Sequence, residues 1–290
     1  MISLTRPVVV VTTTQYAHYF PNVLTIVPGE YENSGDYVNS KYQTPAREIS
    51  PRSMAVVLFT SGTTGNPKGI MLDHRCLSTT AQYMARDFNV GARTRVFQYA
   101  SYSFDVSIHE TLMVFLSGGC LCIPSETDRH NDLAGAVSRL QANWISLSPS
   151  VAKAISPEDF PTLKTLVFAG EALTKSDVLP WVHKLALFNW YGPAEYSLST
   201  TSPVQLPHWA TGNLGFGSAS TCWVVRPENM DTLAPIGAIG ELVVEGPGLM
   251  IGYLHDAERT NAVVKVNPSW LNRGARCSPG RYGRVYHTGD

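Results

Sequence analysis

Leu58–Gly69 reads LFTSGTTGNPKG, and the reading of the whole chain starts there. The hydrophobic run ahead of it, Met54 to Phe59, reads as a buried strand. It empties into hydroxyls (Thr60, Ser61, Thr63, Thr64) and glycines (Gly62, Gly65, Gly69), with Asn66, Pro67 and Lys68 at the close. Glycines let a backbone bend tightly and bring N–H groups close to an anion. Hydroxyls donate to phosphate oxygens, and a lysine adds a point charge. This is chemistry for a polyphosphate. It is not the G-x-x-x-x-G-K-[ST] loop, because Gly69 and not Ser or Thr follows Lys68. Taken alone, the same composition also suits a plain surface turn of small residues.

The 290 residues suffice for one large domain or two ordinary ones. Net charge is −1 and 16% of residues are charged, so no basic footprint for nucleic acid is present. The 5 cysteines are scattered, odd in number and without a C-x-x-C pair, which argues against a zinc site or disulfide framework. The apolar N-terminal run is too short to span a bilayer, and no A-x-A-like cleavage site follows it. The expectation is a soluble, reduced, cytoplasmic chain with no nucleic-acid or membrane partner.

Strand and helix signals alternate from Pro7 to about residue 200. Strands are expected at Pro7–Val11 (buried, parallel), Val23–Val27, Ile70–Leu72, Val96–Ala100, Leu121–Ile123, Trp144–Leu147, Leu163–Ala169 and Leu185–Asn189. Helices are expected at Gln15–Phe20, His74–Phe88, from Asp105 to Gly118-Gly119, at Asp132–Ala142 and at Lys175–His183. The segment Pro28–Ser53 carries no sustained period and reads as irregular. Such alternation implies a parallel sheet covered on both faces, with ligands outside the C-terminal ends of its strands. Three loops, at Ser61, Gly170 and Tyr191, follow strands and can converge there. Beyond residue 200, Gly and Pro recur and short alternating runs appear at Thr221–Arg226, Gly240–Glu245 and Arg284–His287, with at most a weak helix at Ala257–Val264. The fold expected is therefore α/β: a parallel-sheet α/β/α core over 1–200, then a small antiparallel, barrel-like β subdomain over 201–290. Asp105, at the start of its helix, suits an N-cap on general grounds. His109, one turn on, suits either a shared face with Asp105 or a solvent-facing or capped position.

Five stretches in order resemble the adenylate-forming, AMP-binding superfamily, and within it the adenylation domains of nonribosomal peptide synthetases. They are residues 58–69, FDVS at 104–107, NWYGPAE at 189–195, GELVVEGPGLMIGYL at 240–254 and YHTGD at 286–290. The resemblance implies an α/β AMP-binding core, followed by a β subdomain of the same adenylation domain. It implies ATP contacts from Thr60, Ser61, Gly62, Thr63, Thr64, Gly65, Lys68, Gly170, Asn189, Tyr191, Gly192 and Asp290. Lys68, Thr63 and Glu195 take the catalytic roles, with Glu195 holding Mg²⁺. Asp105 pairs with the α-ammonium of an amino acid, a group that acyl-CoA synthetase or luciferase substrates lack. The side-chain pocket is Asp105, Val106, His109, Ser146, Val167, Ala169, Trp190, Leu198 and Ser199, which suits a small-to-medium amino acid with or without a polar side chain. Ala194 stands where the family usually has Thr, so one phosphate contact is missing. His287 stands where it usually has Arg.

The activity so implied is adenylation of an amino acid with MgATP, then thioester transfer to phosphopantetheine on a separate carrier protein beside condensation domains. The family's C-terminal lysine-bearing subdomain is not found in these residues, nor is its first portion. Little or no turnover is therefore expected of the 290 residues alone. The alternatives are an acid–thiol ligase of the acyl-CoA synthetase type and a non-catalytic remnant of a synthetase.

Overall fold

The structure is a computed structural model that describes residues 1–28, 48–60, 67–197, 200–275 and 278–290. The chain divides into two units, 1–50 and 51–290. The first contains α1 (Ile2–Thr5), β1 (Val9–Val11), α2 (Thr14–Ala17) and β2 (Leu24–Ile26). β1 and β2 pair in parallel. The strand expected at Pro7–Val11 is parallel, but Val9 and Val11 are exposed rather than buried. Most of the segment expected to be irregular, 29–47, lies outside the described residues.

The second unit opens with β3 (Met54–Thr60) and β4 (Lys68–Asp73), which pair antiparallel from Met54↔Asp73 to Thr60↔Lys68. This corrects one expectation. Residues 61–67 connect an antiparallel pair, and the strand ahead of them is not part of the parallel sheet. Only Leu58 of β3 is buried, the other six residues being half-buried or exposed, because β3 is an edge strand. Asp73 then caps α3 (His74–Asp87), its carboxylate accepting from the Cys76 N–H at 2.6 Å. β5 (Arg95–Phe97), α4 (Asp105–Leu116), β6 (Cys120–Cys122), α5 (Glu126–Asn131), α6 (Leu133–Arg139), β7 (Trp144–Leu147) and α7 (Pro149–Lys153) follow. Then come β8 (Thr165–Ala169), α8 (Lys175–Val178), β9 (Ala186–Tyr191), β10 (Thr200–Pro203) and β11 (Phe216–Gly217). The helix expected to run to His183 stops at Val178. Pro180 has no N–H to continue it.

These strands form a seven-stranded sheet in the order β11-β10-β9-β8-β7-β5-β6. β6, β5, β7, β8 and β9 run parallel, while β10 and β11 add antiparallel at one edge. One face of the sheet buries Trp144, Val167, Phe188 and Trp190 against Met84 and Phe88 of the α3 segment and Met113 and Val114 of α4. The other face buries Ile145, Leu147, Leu166, Phe168 and Leu187 with Val137 of α6 and Trp181. Helices on both faces of a parallel sheet are what near-continuous apolar strands require.

The remaining strands are β12 (Thr221–Arg226), β13 (Asn229–Leu233), β14 (Glu241–Glu245), β15 (Gly252–Tyr253), β16 (Val264–Val266), β17 (Gly274–Ala275), β18 (Ser278–Pro279) and β19 (Arg284–His287). The helices α9 (Ala257–Val263) and α10 (Ser269–Arg273) lie among them. Five of the strands make an antiparallel half-barrel in the order β13-β12-β14-β19-β16. β15 pairs with β4 instead, giving a three-stranded sheet β15-β4-β3. A common core joins these two sheets through Leu58, Ile70, Leu72, Val244, Met250, Tyr253 and Tyr286. The four described cysteines, Cys76, Cys120, Cys122 and Cys222, are all free.

Candidate active site

Period-two alternation aims the sheet's residues. Ser146, Val167 and Phe188 lie abreast on β7, β8 and β9, and Ala169 lies beside Trp190. Val167, Phe188, Ala169 and Trp190 pack on the face that meets α4. Asn189 and Tyr191 alternate with them onto the opposite face. Asn189 is buried there and donates to the Asn213 carbonyl at 3.2 Å.

α4 brings up the other side. Phe104, not Asp105, occupies its N-cap, and Asp105 is the first helical residue. The Asp105 carboxylate accepts from the Val106 N–H at 2.9 Å. Enclosure pushes its pKa up to about 6, with the Glu195 carboxylate adding to the rise. His109 is fully buried, neither solvent-facing nor capped, and sits edge-on to Trp190 at 6.1 Å. Both of its ring nitrogens lack a partner among the described residues, and burial lowers its pKa to about 4.

A cavity of about 600 Å³ opens between these elements. Asp105, Val106, Ala169, Gly170, Asn189, Trp190, Tyr191, Gly192 and Asp290 all line it. Gly170 turns the chain there with φ at +83°, a conformation that glycine adopts without strain. The Tyr191 hydroxyl donates to Asp290 Oδ2, which fixes the last residue at the cavity's edge. A second hollow of about 440 Å³ shares Phe104, Val106, Ala169 and Gly170 with the first and has Ser146 in its wall. Val167 and His109, expected to line the substrate pocket, are sealed in the core beneath it. Trp190, which packs edge-on to His109, lines the cavity instead.

The third part is a charged corner. Lys68, the first residue of β4, pairs with Glu195 Oε1 at 2.5 Å. The Tyr253 hydroxyl donates to the same oxygen at 2.8 Å. Lys68 Nζ also lies 3.5 Å from the Tyr253 hydroxyl and 5.2 Å from the ring centre. Tyr286 stands beside the Glu195 carboxylate, and burial together with that charge raises its pKa. Thr60 Oγ1 is buried and unpartnered among the described residues, beside a hollow of about 220 Å³ that it shares with Asp105 and Ala194. Ser61, Gly62, Thr63, Thr64 and Gly65 lie outside the described residues, as do Leu198 and Ser199.

The arrangement suits a nucleotide. It offers a planar aromatic wall at Tyr191, a carboxylate for hydroxyls at Asp290, and a cation with an unpartnered hydroxyl where phosphates would lie. A buried hard oxygen at Glu195 next to that cation suits Mg²⁺ shared with phosphates, which needs only one or two carboxylates. Among the described residues no cluster of three or more His, Cys, Asp or Glu could hold a metal alone.

The model of the AMP-binding enzyme family matches residues 5–254. The chain belongs to that family. AMP-binding enzymes use ATP and Mg²⁺. It is 48% identical over 240 residues to the nonribosomal peptide synthetase atnA of Emericella nidulans, a match covering 83% of this chain and 3% of that protein. It is 46% identical over 253 residues to the cyclochlorotine synthetase of Talaromyces islandicus, covering 87% and 4%. It is 37% identical over 289 residues to the nonribosomal peptide synthetase TES of Alternaria alternata, covering 99% and 6%. The chain thus spans only a few per cent of the length of these multidomain relatives.

In fold it is similar to the crystal structure of VinN, with a TM-score of 0.80 at 22% identity over 100% of this chain and 71% of the other. It is also similar to the N-terminal subdomain of Klebsiella oxytoca NpsA in complex with 3-hydroxyanthranilyl-AMSN, with a TM-score of 0.77 at 21% identity over 100% and 72%. Among the described residues, no helix is long and apolar enough to cross a membrane.

Proposed function

We propose that this chain activates an amino acid with MgATP, giving aminoacyl-AMP and pyrophosphate, for thioester transfer to the phosphopantetheine of a carrier protein in nonribosomal peptide synthesis. The two-part division at 200/201 belongs to the same proposal, the first part carrying Asp105 and Tyr191 and the second carrying Asp290. The observation that supports the reading is Asp105. It is an enclosed carboxylate on the same cavity as Tyr191 and Asp290, paired with no side-chain cation among the described residues. Its pKa of about 6 leaves it ionised at neutral pH, and a substrate ammonium supplies the missing counter-charge.

The chain's own residues divide the work. Tyr191 and Asn189 hold the base, Asp290 the ribose, and Lys68 with Thr60, Ser61 and Thr63 the departing phosphates. Glu195 would hold Mg²⁺, which when bound would further neutralise phosphate charge. The substrate carboxylate attacks the α-phosphorus, so no side-chain nucleophile is required. Charge stabilisation of this type often contributes more to such catalysis than any other single effect. Trp190 forms one bulky wall of the pocket, so the amino acid accepted is small to medium.

Calorimetry on non-hydrolysable acyl-sulfamoyl adenosines tests this without requiring turnover. Glycyl, alanyl and seryl analogues are compared with analogues lacking the amino group. The amino forms are expected to bind more tightly by about 30-fold or more, and Asp105→Ala erases the difference, since cutting one partner from an enclosed charge pair costs about 2–5 kcal/mol. The preference should fade below pH 6, where Asp105 takes up its proton while the ammonium keeps its own. Equal binding of both forms would favour the acid–thiol ligase reading. Binding of neither would favour the remnant.

A further inference from the structure

We propose that Tyr253 is a positioning residue that aims the Glu195 carboxylate at the Mg²⁺–phosphate group; this rests on the nucleotide reading of the site. Glu195 sits in a turn, anchored through its backbone by the Met250 N–H donating to its carbonyl at 2.9 Å. No helix or strand aims its side chain, so its neighbours must. Lys68 is one of them, at 2.5 Å. A lysine that turns to meet a polyphosphate releases the carboxylate it was holding. A second cation kept on the carboxylate would oppose the metal. A neutral hydroxyl does neither: it donates one hydrogen bond to Oε1 and leaves the negative charge for a cation.

Tyr253 is built for that task. Its ring is 4% exposed and packed in the core with Leu58, Ile70 and Met250. In the ladder it lies opposite Ile70, which puts it diagonal to Lys68 on one face of the β15–β4 pair. Its N–H donates to Thr260 Oγ1 at 2.9 Å, and that hydroxyl in turn donates to the Asp256 carbonyl at 2.8 Å. Backbone, ring and hydroxyl are therefore each fixed before any ligand arrives. Burial and the Glu195 charge both raise the phenol's pKa, which keeps it a donor. The other groups that face Glu195 are Lys68, Tyr286 and the Asp105 carboxyl.

The test is ATP binding to the 290-residue chain by calorimetry, with Mg²⁺ and again with EDTA. Tyr253→Phe keeps the ring beneath Lys68 Nζ and removes the hydroxyl together with its 3.5 Å contact to that amine. The expected result is a loss of about tenfold in affinity with Mg²⁺, typical for an outer partner of a metal ligand, and no change in EDTA. In a double-mutant cycle, Tyr253→Phe should add nothing on a Glu195→Gln background. Equal losses with and without Mg²⁺, or additive losses in the cycle, would overturn the assignment in favour of a merely structural tyrosine. Thermal melts of both variants separate a folding defect from a binding one. If the unsubstituted chain binds ATP and Tyr253→Phe matches it, only the role of Tyr253 falls. If the unsubstituted chain binds no ATP, the nucleotide reading falls first.

Discussion

The wall built by the seven-stranded sheet and the corner built by β3, β4 and β15 hold their side chains differently. On the sheet, Ala169, Asn189, Trp190 and Tyr191 are placed by strand alternation on neighbouring parallel strands, whose pairing fixes them in rows. Packing backs that wall: Phe88 meets Trp190 at 6.0 Å and Phe188 at 5.5 Å. In the corner, Lys68, Glu195 and Tyr253 come from three separate stretches of chain and meet through one carboxylate oxygen. One wall is shaped by apolar volume, and the other is held by charge and hydrogen bonds. Substitutions in the first should therefore appear mainly in stability and pocket size, and substitutions in the second mainly in nucleotide chemistry.

The largest effect should come from the packed wall. Trp190 is 5% exposed, and Trp190→Ala empties a space ringed by Phe88, Phe188 and His109. Urea or thermal unfolding should show a loss of about 3–5 kcal/mol. If the protein tolerates that loss, the variant should also bind larger aminoacyl-sulfamoyl adenosines than the parent. A variant of unchanged stability would mean that the wall is not closed by packing. Next is Lys68→Ala in the corner. It removes the cation of the proposed phosphate site, and adenylate formation should fall about 10²–10³-fold, the usual cost of one transition-state charge partner. Binding of adenosine, which has no phosphate, should not change. Parallel losses for ATP and adenosine would show that the corner supports the fold and not the phosphates.

The contrast also explains what could be read in advance. The sheet's strands were legible because they are short apolar runs between helical periods, and Trp144–Leu147 falls where expected; in the half-barrel the alternating run Arg284–His287 does too. Gly170, Asn189 and Tyr191 meet on one cavity because motifs at the ends of adjacent strands must lie near one another, while Asp105 reaches it from the start of α4 and Asp290 from beyond β19. Two features were not legible. An apolar run such as Met54–Phe59 reads the same in a parallel or an antiparallel sheet, and only pairing with Lys68–Asp73 decides it. Tyr253 lies within the stretch 240–254, whose pattern suggests no task for it. Its function depends on β15 leaving the half-barrel to join β4, a long-range pairing with no local signature. The burial of His109 also lay beyond a helix-face argument, because it depends on Trp190 across the interface.

The effect that grows only with pH sharpens the comparison from beneath the packed wall, at Glu110. This residue is fully buried in α4, next to His109, and burial raises its pKa well above the ordinary carboxylate value, with Gln98 and Ala100 only partly offsetting it. An acid with a raised folded-state pKa holds its proton in the native chain after the unfolded chain has lost it. The native state then binds more protons than the unfolded state, so stability falls as pH rises above the ordinary value of 4.5. The slope for one group cannot exceed about 1.4 kcal/mol per pH unit. Asp105 adds a slope of the same sign up to its pKa of about 6. His109, with its pKa lowered to about 4, adds the opposite sign between 4 and its ordinary 6.5. Glutamine is nearly isosteric and does not titrate, so Glu110→Gln should match the parent near pH 4.5 and gain on it as pH rises. Thermal melts at about pH 5, 6, 7 and 8 read this directly. A gap that widens with pH identifies Glu110 as a neutral, buried acid inside a wall otherwise made of apolar volume. Parallel curves would mean that it is already ionised and paired in the native chain, and that this wall too is held in part by charge.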